Sequence, residues 1–78
     1  MIRVEFTIYP FVEGMALPGY VQAAVDVLEA EGFEVDVGAL GNSVSGADLG
    51  VLASLHRAEV EAIKAGATRV VVDVQVQQ

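Results

Sequence analysis

The residues that could carry chemistry are few, and their spacing limits what they can do. A single histidine, His56, falls at the centre of the helical stripe Leu49, Leu52, His56, Val60, Ile63. An imidazole there is either a core group hydrogen-bonded to backbone or strand, or a polar contact lining a pocket between helix and sheet. A metal centre needs further clustered ligands. The nearest carboxylate at helical spacing, Glu59, points about 60° off the stripe. Ser43, Ser45 and Ser54 invite a hydrolase reading, but no Gly-x-Ser-x-Gly elbow surrounds any of them. A nucleophile also needs an adjacent base and an acid that orients it. The run Gly38-Ala-Leu-Gly41-Asn42-Ser43-Val44-Ser45-Gly46 is glycine-rich but lacks the Lys-Ser/Thr of a phosphate-binding loop. It reads as a hairpin, and Asn42, Ser43 and Ser45 could present donors and acceptors to a ligand at a sheet end. The apolar loop Phe11–Leu17 packs on the core or a second subunit, or forms a lid over a small pocket with mostly apolar walls. Glu13 is its one carboxylate.

Composition removes several function classes. There is no cysteine, which excludes disulfides, thiol catalysis and thiolate metal sites. Four scattered cations against eleven carboxylates give a net charge of −7. Phosphate-backbone binding needs clustered Lys and Arg, so no nucleic-acid partner is expected. An acidic surface suits a cationic or neutral ligand and aids solubility. No apolar run approaches the ~20 residues of a membrane helix. Met1 leads directly into a strand pattern, not a basic and apolar leader, so the expected compartment is the cytoplasm. Seventy-eight residues suit one domain, here residues 1–78, with a small core. A hydrophobic fraction of 54% exceeds the roughly 45–50% of average chains, and the excess predicts a subunit interface.

The elements that must position these groups follow from periodicity. Residues 2–9 alternate, with Ile2, Val4, Phe6 and Ile8 on one face and Arg3, Glu5, Thr7 and Tyr9 on the other. Pro10 ends that strand. Pro18 suits a first helical turn, and Val21, Ala24, Val25 and Leu28 form one stripe up to Gly32. Phe33, Val35 and Val37 alternate with Glu34 and Asp36 as a second strand, and residues 42–45 return as a third. Asp48 can cap a second helix, which Gly66 terminates. Residues 68–76 make the last strand, with Val70, Val72, Val74 and Val76 on one face. The order βαββαβ is that of an α+β, ferredoxin-like sandwich: a four-stranded antiparallel sheet with two helices on one face.

Several local patterns, in order over nearly the whole chain, resemble the small YkoF-like thiamine-binding family. They are the strand ending Tyr9-Pro10, the helix Tyr20-Val21-Gln22-Ala23-Ala24 with its later Gly32, and the hairpin Gly41-x-x-x-x-Gly46. His56 in the second helix and Gly66-Ala67-Thr68-Arg69-Val70 complete the set. Where the family commonly carries Thr after the first hairpin glycine and an acidic residue before the second, this chain has Asn42 and Ser45. The resemblance implies the same fold and a binding role without catalysis or a cofactor. It further implies a thiamine or hydroxymethylpyrimidine ligand and a homodimer or homotetramer built by sheet contacts. In that reading the ligand lies between the hairpin, the end of the first strand and the apolar loop. Tyr9 and Phe11 stack on its ring, Asn42, Ser43 and Ser45 bond its edge, and His56 stands behind them. The rival reading is a structural or regulatory oligomerisation module with no small ligand.

Overall fold

A computed structural model describes residues 1–10, 17–38 and 41–77. The elements run β1 (Ile2–Tyr9), α1 (Gly19–Ala30), β2 (Val35–Val37), β3 (Asn42–Gly46), α2 (Gly50–Lys64) and β4 (Arg69–Val76). They form an antiparallel sheet in the order β2-β3-β1-β4. This is the expected ferredoxin-like βαββαβ arrangement. No helix among the described residues is long and apolar enough to cross a membrane.

Strand β1 is central because its alternation is strict. Ile2, Val4, Phe6 and Ile8 are all buried under the helices, while Arg3 and Glu5 stay exposed on the outer face. Pairing carries that division across the sheet. Phe6 faces Asn42 and Val72, so these lie on the helix side; Glu5 faces Ser43 and Asp73, which lie outside. Helix α1 adds Val21, Ala24, Val25 and Leu28 to the core, as its stripe predicts.

Both helices end in the same device. In α1 the Gly32 N–H donates to the Glu29 carbonyl and the Phe33 N–H to the Leu28 carbonyl; in α2 Gly66 and Ala67 repeat this on Ile63 and Ala62. The paired bonds require a left-handed residue after the helix, and Gly32 and Gly66 have φ of 92° and 116°. Gly46 serves another purpose, since a Cβ there would sit 2.7 Å from the Val51 Cβ and 3.3 Å from the Phe33 ring. A bare backbone lets α2 start close above β3.

The expected core stripe of α2 is corrected by the structure. Val51, Ser54, Leu55, Ala58 and Ala62 are buried, roughly on the opposite side of the helix from His56 at 3.6 residues per turn. The His56 side chain is 76% exposed, so it is neither a core histidine nor a pocket wall behind the hairpin. The cause is close helix packing. Alanine at 58 and 62 lets α2 approach its neighbours, which the larger Leu49, Val60 and Ile63 would prevent.

One polar cluster joins the helices. Glu31, beyond the end of α1, accepts 2.8 Å from the Ser54 hydroxyl on Oε1 and 2.9 Å from Arg57 Nε on Oε2, with Arg57 Nη2 also donating to Oε1. These donors hold its carboxyl at about 2, well below the usual glutamate value of 4.5, chiefly through the Arg57 bonds and then Ser54. The ionised form is favoured in the folded chain, so this contribution to stability is present above about pH 4.5 and is lost as pH falls towards 2. Glu31→Gln should flatten the urea-midpoint profile in that window; an unchanged acid slope would exclude the assignment. Gly46→Ala should cost about 1–3 kcal/mol through overpacking, read as a fall in Tm of roughly 4–8 °C per kcal/mol.

Candidate functional site

The strand end, the helix start and the hairpin meet in a small cleft. Thr7 and Ile8 of β1, Pro10, Leu17 and Pro18, Val21 of α1, and Val37, Gly38, Gly41 and Asn42 of the hairpin line it. The Tyr20 hydroxyl donates to the Pro10 carbonyl and ties the end of β1 to α1. Across the cleft the Gly38 N–H donates to the Gly41 carbonyl at 2.8 Å and closes the β2–β3 hairpin. The volume is ≈ 70 Å³, room for the edge of one ring, against the ~300–1,000 Å³ of a site that encloses a drug-sized molecule.

The described lining of this cleft carries no ionisable side chain. Its polar groups are the Thr7 hydroxyl and the Asn42 amide. Asn42 is 7% exposed, and its Nδ2 donates to the Phe6 carbonyl at 3.3 Å. Among the described residues the amide oxygen has no hydrogen-bond donor. An acceptor beside apolar walls suits the donor edge of a neutral heterocycle.

On the other side of the same residues the outer sheet face opens into two grooves. One, of ≈ 340 Å³, is lined by Arg3, Glu5, Thr7, Asp36 and Ser43, and shares Thr7, Gly38, Gly41 and Asn42 with the cleft. A second, of ≈ 610 Å³, continues past Glu34, Asp36, Ser43 and Ser45 towards Gly32. Strand register puts Asp36, Ser43, Glu5 and Asp73 in one row across all four strands. Arg3 lies 3.4 Å from Glu5 and answers part of that charge. Among the described residues no group of His, Asp or Glu is placed to hold a metal ion.

The residues anticipated from sequence are dispersed. Asn42 lies at the junction of cleft and groove, Ser43 lines both grooves, and Ser45 only the longer one. Pairing explains the split: Asn42 faces the helices, whereas Ser43 and Ser45 face away. Tyr9 is on the outer face with the Arg69 guanidinium 5.2 Å above its ring, and lines none of these spaces. Phe11 lies outside the described residues. His56 is on the far side of α2. Thr7, Val37, Gly38 and Asp36 escaped sequence reasoning. Thr7 was identifiable only as an outer-face residue of β1, because its position beside Gly41 depends on how β1 and β3 pair.

Comparison with known proteins places this geometry. No curated protein matches the chain. Among solved structures, a domain of unknown function from Bacillus cereus superposes with a TM-score of 0.67 at 24% identity, covering 99% of this chain and 74% of that one. A protein from Streptococcus pneumoniae gives 0.74 at 16% identity, covering 99% and 87%. A protein from Thermotoga maritima, described as a candidate thiamine biosynthesis/salvage protein, gives 0.64 at 19% identity, covering 97% and 83%. At these identities the likeness is one of fold. The sequence profile that defines the thiamine-binding proteins matches residues 4–78, and the chain belongs to that family.

Proposed function

We propose that the chain binds thiamine, or the hydroxymethylpyrimidine part of it, as a cytoplasmic homo-oligomer that does no catalysis. The observation that carries the reading is the junction at Thr7, Gly41 and Asn42, where a neutral cleft on one side meets an acidic groove on the other. Thiamine has the matching halves. Its aminopyrimidine is a flat neutral ring with a donor edge, and its thiazolium is a permanent cation. The ring edge enters the cleft against Asn42; the cation lies in the groove beside Glu5 and Asp36. Glycine at 41 is what leaves room, because a Cβ there would come within 3.0 Å of the Thr7 hydroxyl.

A binding role agrees with the family, and the described cleft lining offers walls and hydrogen-bonding groups for a neutral ring. A purely structural oligomerisation module would need no opening under the hairpin, so the open cleft favours the ligand reading. Exposed Val71, Val74 and Val76 on the edge strand β4 support self-association.

Calorimetry with thiamine and with free hydroxymethylpyrimidine at millimolar ligand should give heat and a raised Tm. Absence of both effects with both compounds rejects the proposal. Gly41→Val should abolish either response. The paired change Glu5→Gln with Asp36→Asn should weaken thiamine several-fold, remove most of its salt dependence, and leave the uncharged pyrimidine unaffected. Equal losses for both ligands would show that the acidic groove does not hold the cation.

A further inference from the structure

The outward side of α2 has an unusual composition for a solvated helix. On α1 the outward positions are Gln22, Asp26 and Glu29, with Gln22 bonded to Asp26 at 2.7 Å. On α2 and at its cap they include Leu49, Val60 and Ile63, which are 71%, 39% and 59% exposed, beside Ala53, Arg57 and Lys64, with half-buried Leu52 at their side and His56 in the middle. A helix that already buries Val51, Leu55, Ala58 and Ala62 thus carries a second apolar stripe, of which Leu52 still touches the core and Leu49, Val60 and Ile63 are exposed.

The spacing of that stripe identifies its occupant. From Leu49 the steps are three, four, four and three residues, so the pattern reads the same from either end, with His56 at its centre. A two-fold contact requires a self-complementary patch in which residue i meets j and j meets i. An antiparallel pair of α2 helices crossing at His56 meets that requirement. Leu49 lies opposite the partner copy's Ile63, Leu52 beside its Val60, and the two imidazoles at the axis. The same register brings Lys64, in the last turn of α2, level with the Asp48 that precedes the first turn of the other copy. Opposite charges then sit at both ends of the contact, and the antiparallel helix dipoles are favourably aligned.

We propose that two copies of this chain associate through the outward faces of α2, antiparallel, with His56 on the two-fold axis. A single helix pair falls below the roughly 1,200 Å² of standard interfaces, so the contact is weak by itself and works together with other contacts. It rests on the homo-oligomeric reading above but is independent of thiamine binding, and it uses a surface remote from the sheet.

The absence of cysteine makes the test direct. His56→Cys should form a disulfide-linked dimer under mild oxidation, whereas Gln22→Cys, on the outward face of α1, should stay monomeric on denaturing gels. A mixture of the separate Leu49→Cys and Ile63→Cys proteins should cross-link to each other more than to themselves. Light scattering should show Ile63→Glu halving the native mass with an unchanged circular dichroism spectrum. If His56→Cys cross-links no faster than Gln22→Cys, or Leu49→Cys links mainly to itself, the antiparallel pairing is overturned even where scattering still finds an oligomer. If the wild-type chain scatters as a single 8.2 kDa unit at high micromolar concentration, the homo-oligomeric reading falls as well, and the α2 face belongs to a different partner.

Discussion

The structure depends on the position of β1 between β3 and β4. It is hydrogen-bonded on both edges, and its alternate side chains serve two different surfaces. Ile2, Val4, Phe6 and Ile8 form the centre of the core, and Arg3, Glu5 and Thr7 line the groove on the reverse side. A slip of one residue against either neighbour would exchange the faces, placing charge in the core and valine in the groove. Register is therefore specified by the same burial that stabilises the fold. The candidate site inherits its geometry from that register.

The site forms where the regular structure stops. Beyond Phe6 the β1–β3 ladder ends, Gly38 and Gly41 flank the hairpin, and α1 begins nearby. Gly38 and Gly41 carry no side chain, and the cleft and the groove meet there at Thr7, Gly41 and Asn42. Asn42 bridges the two environments. Its amide nitrogen is used on the Phe6 carbonyl, within the fold, and the residue lines both the cleft and the groove. A buried amide needs partners for both ends, which is why such a residue suits a place where a ligand supplies the second.

Helix α2 shows how a small domain distributes apolar surface. Its core side combines Val51 and Leu55 with the small residues Ser54, Ala58 and Ala62, which let it pack closely and let Ser54 and Arg57 hold Glu31 of the neighbouring segment. Three further aliphatic residues, Leu49, Val60 and Ile63, are on the outside. A core of this size buries only part of the apolar surface that the chain carries, and on this helix the remainder stays exposed.

Element order and type were legible in the sequence. Strict alternation in β1 and β4, one clear stripe in α1, and glycines at the helix ends each leave one physically consistent reading, because they depend on local periodicity and backbone sterics. Glycines 32, 46 and 66 mark their breaks for the same reason. Helix α2 was different: two stripes satisfied the same period, and hydrophobicity favoured the wrong one. Only packing in three dimensions decides between them, since closeness of approach rewards alanine where a pattern counts leucine. The site was also a tertiary outcome. Asn42 and Ser43 are neighbours in sequence but lie on opposite faces, and Thr7 meets Gly41 across 34 positions through strand pairing. Local chemistry determined which elements form. Long-range pairing and packing decided which side chains share a surface, because those depend on residues that the chain brings together only when it folds.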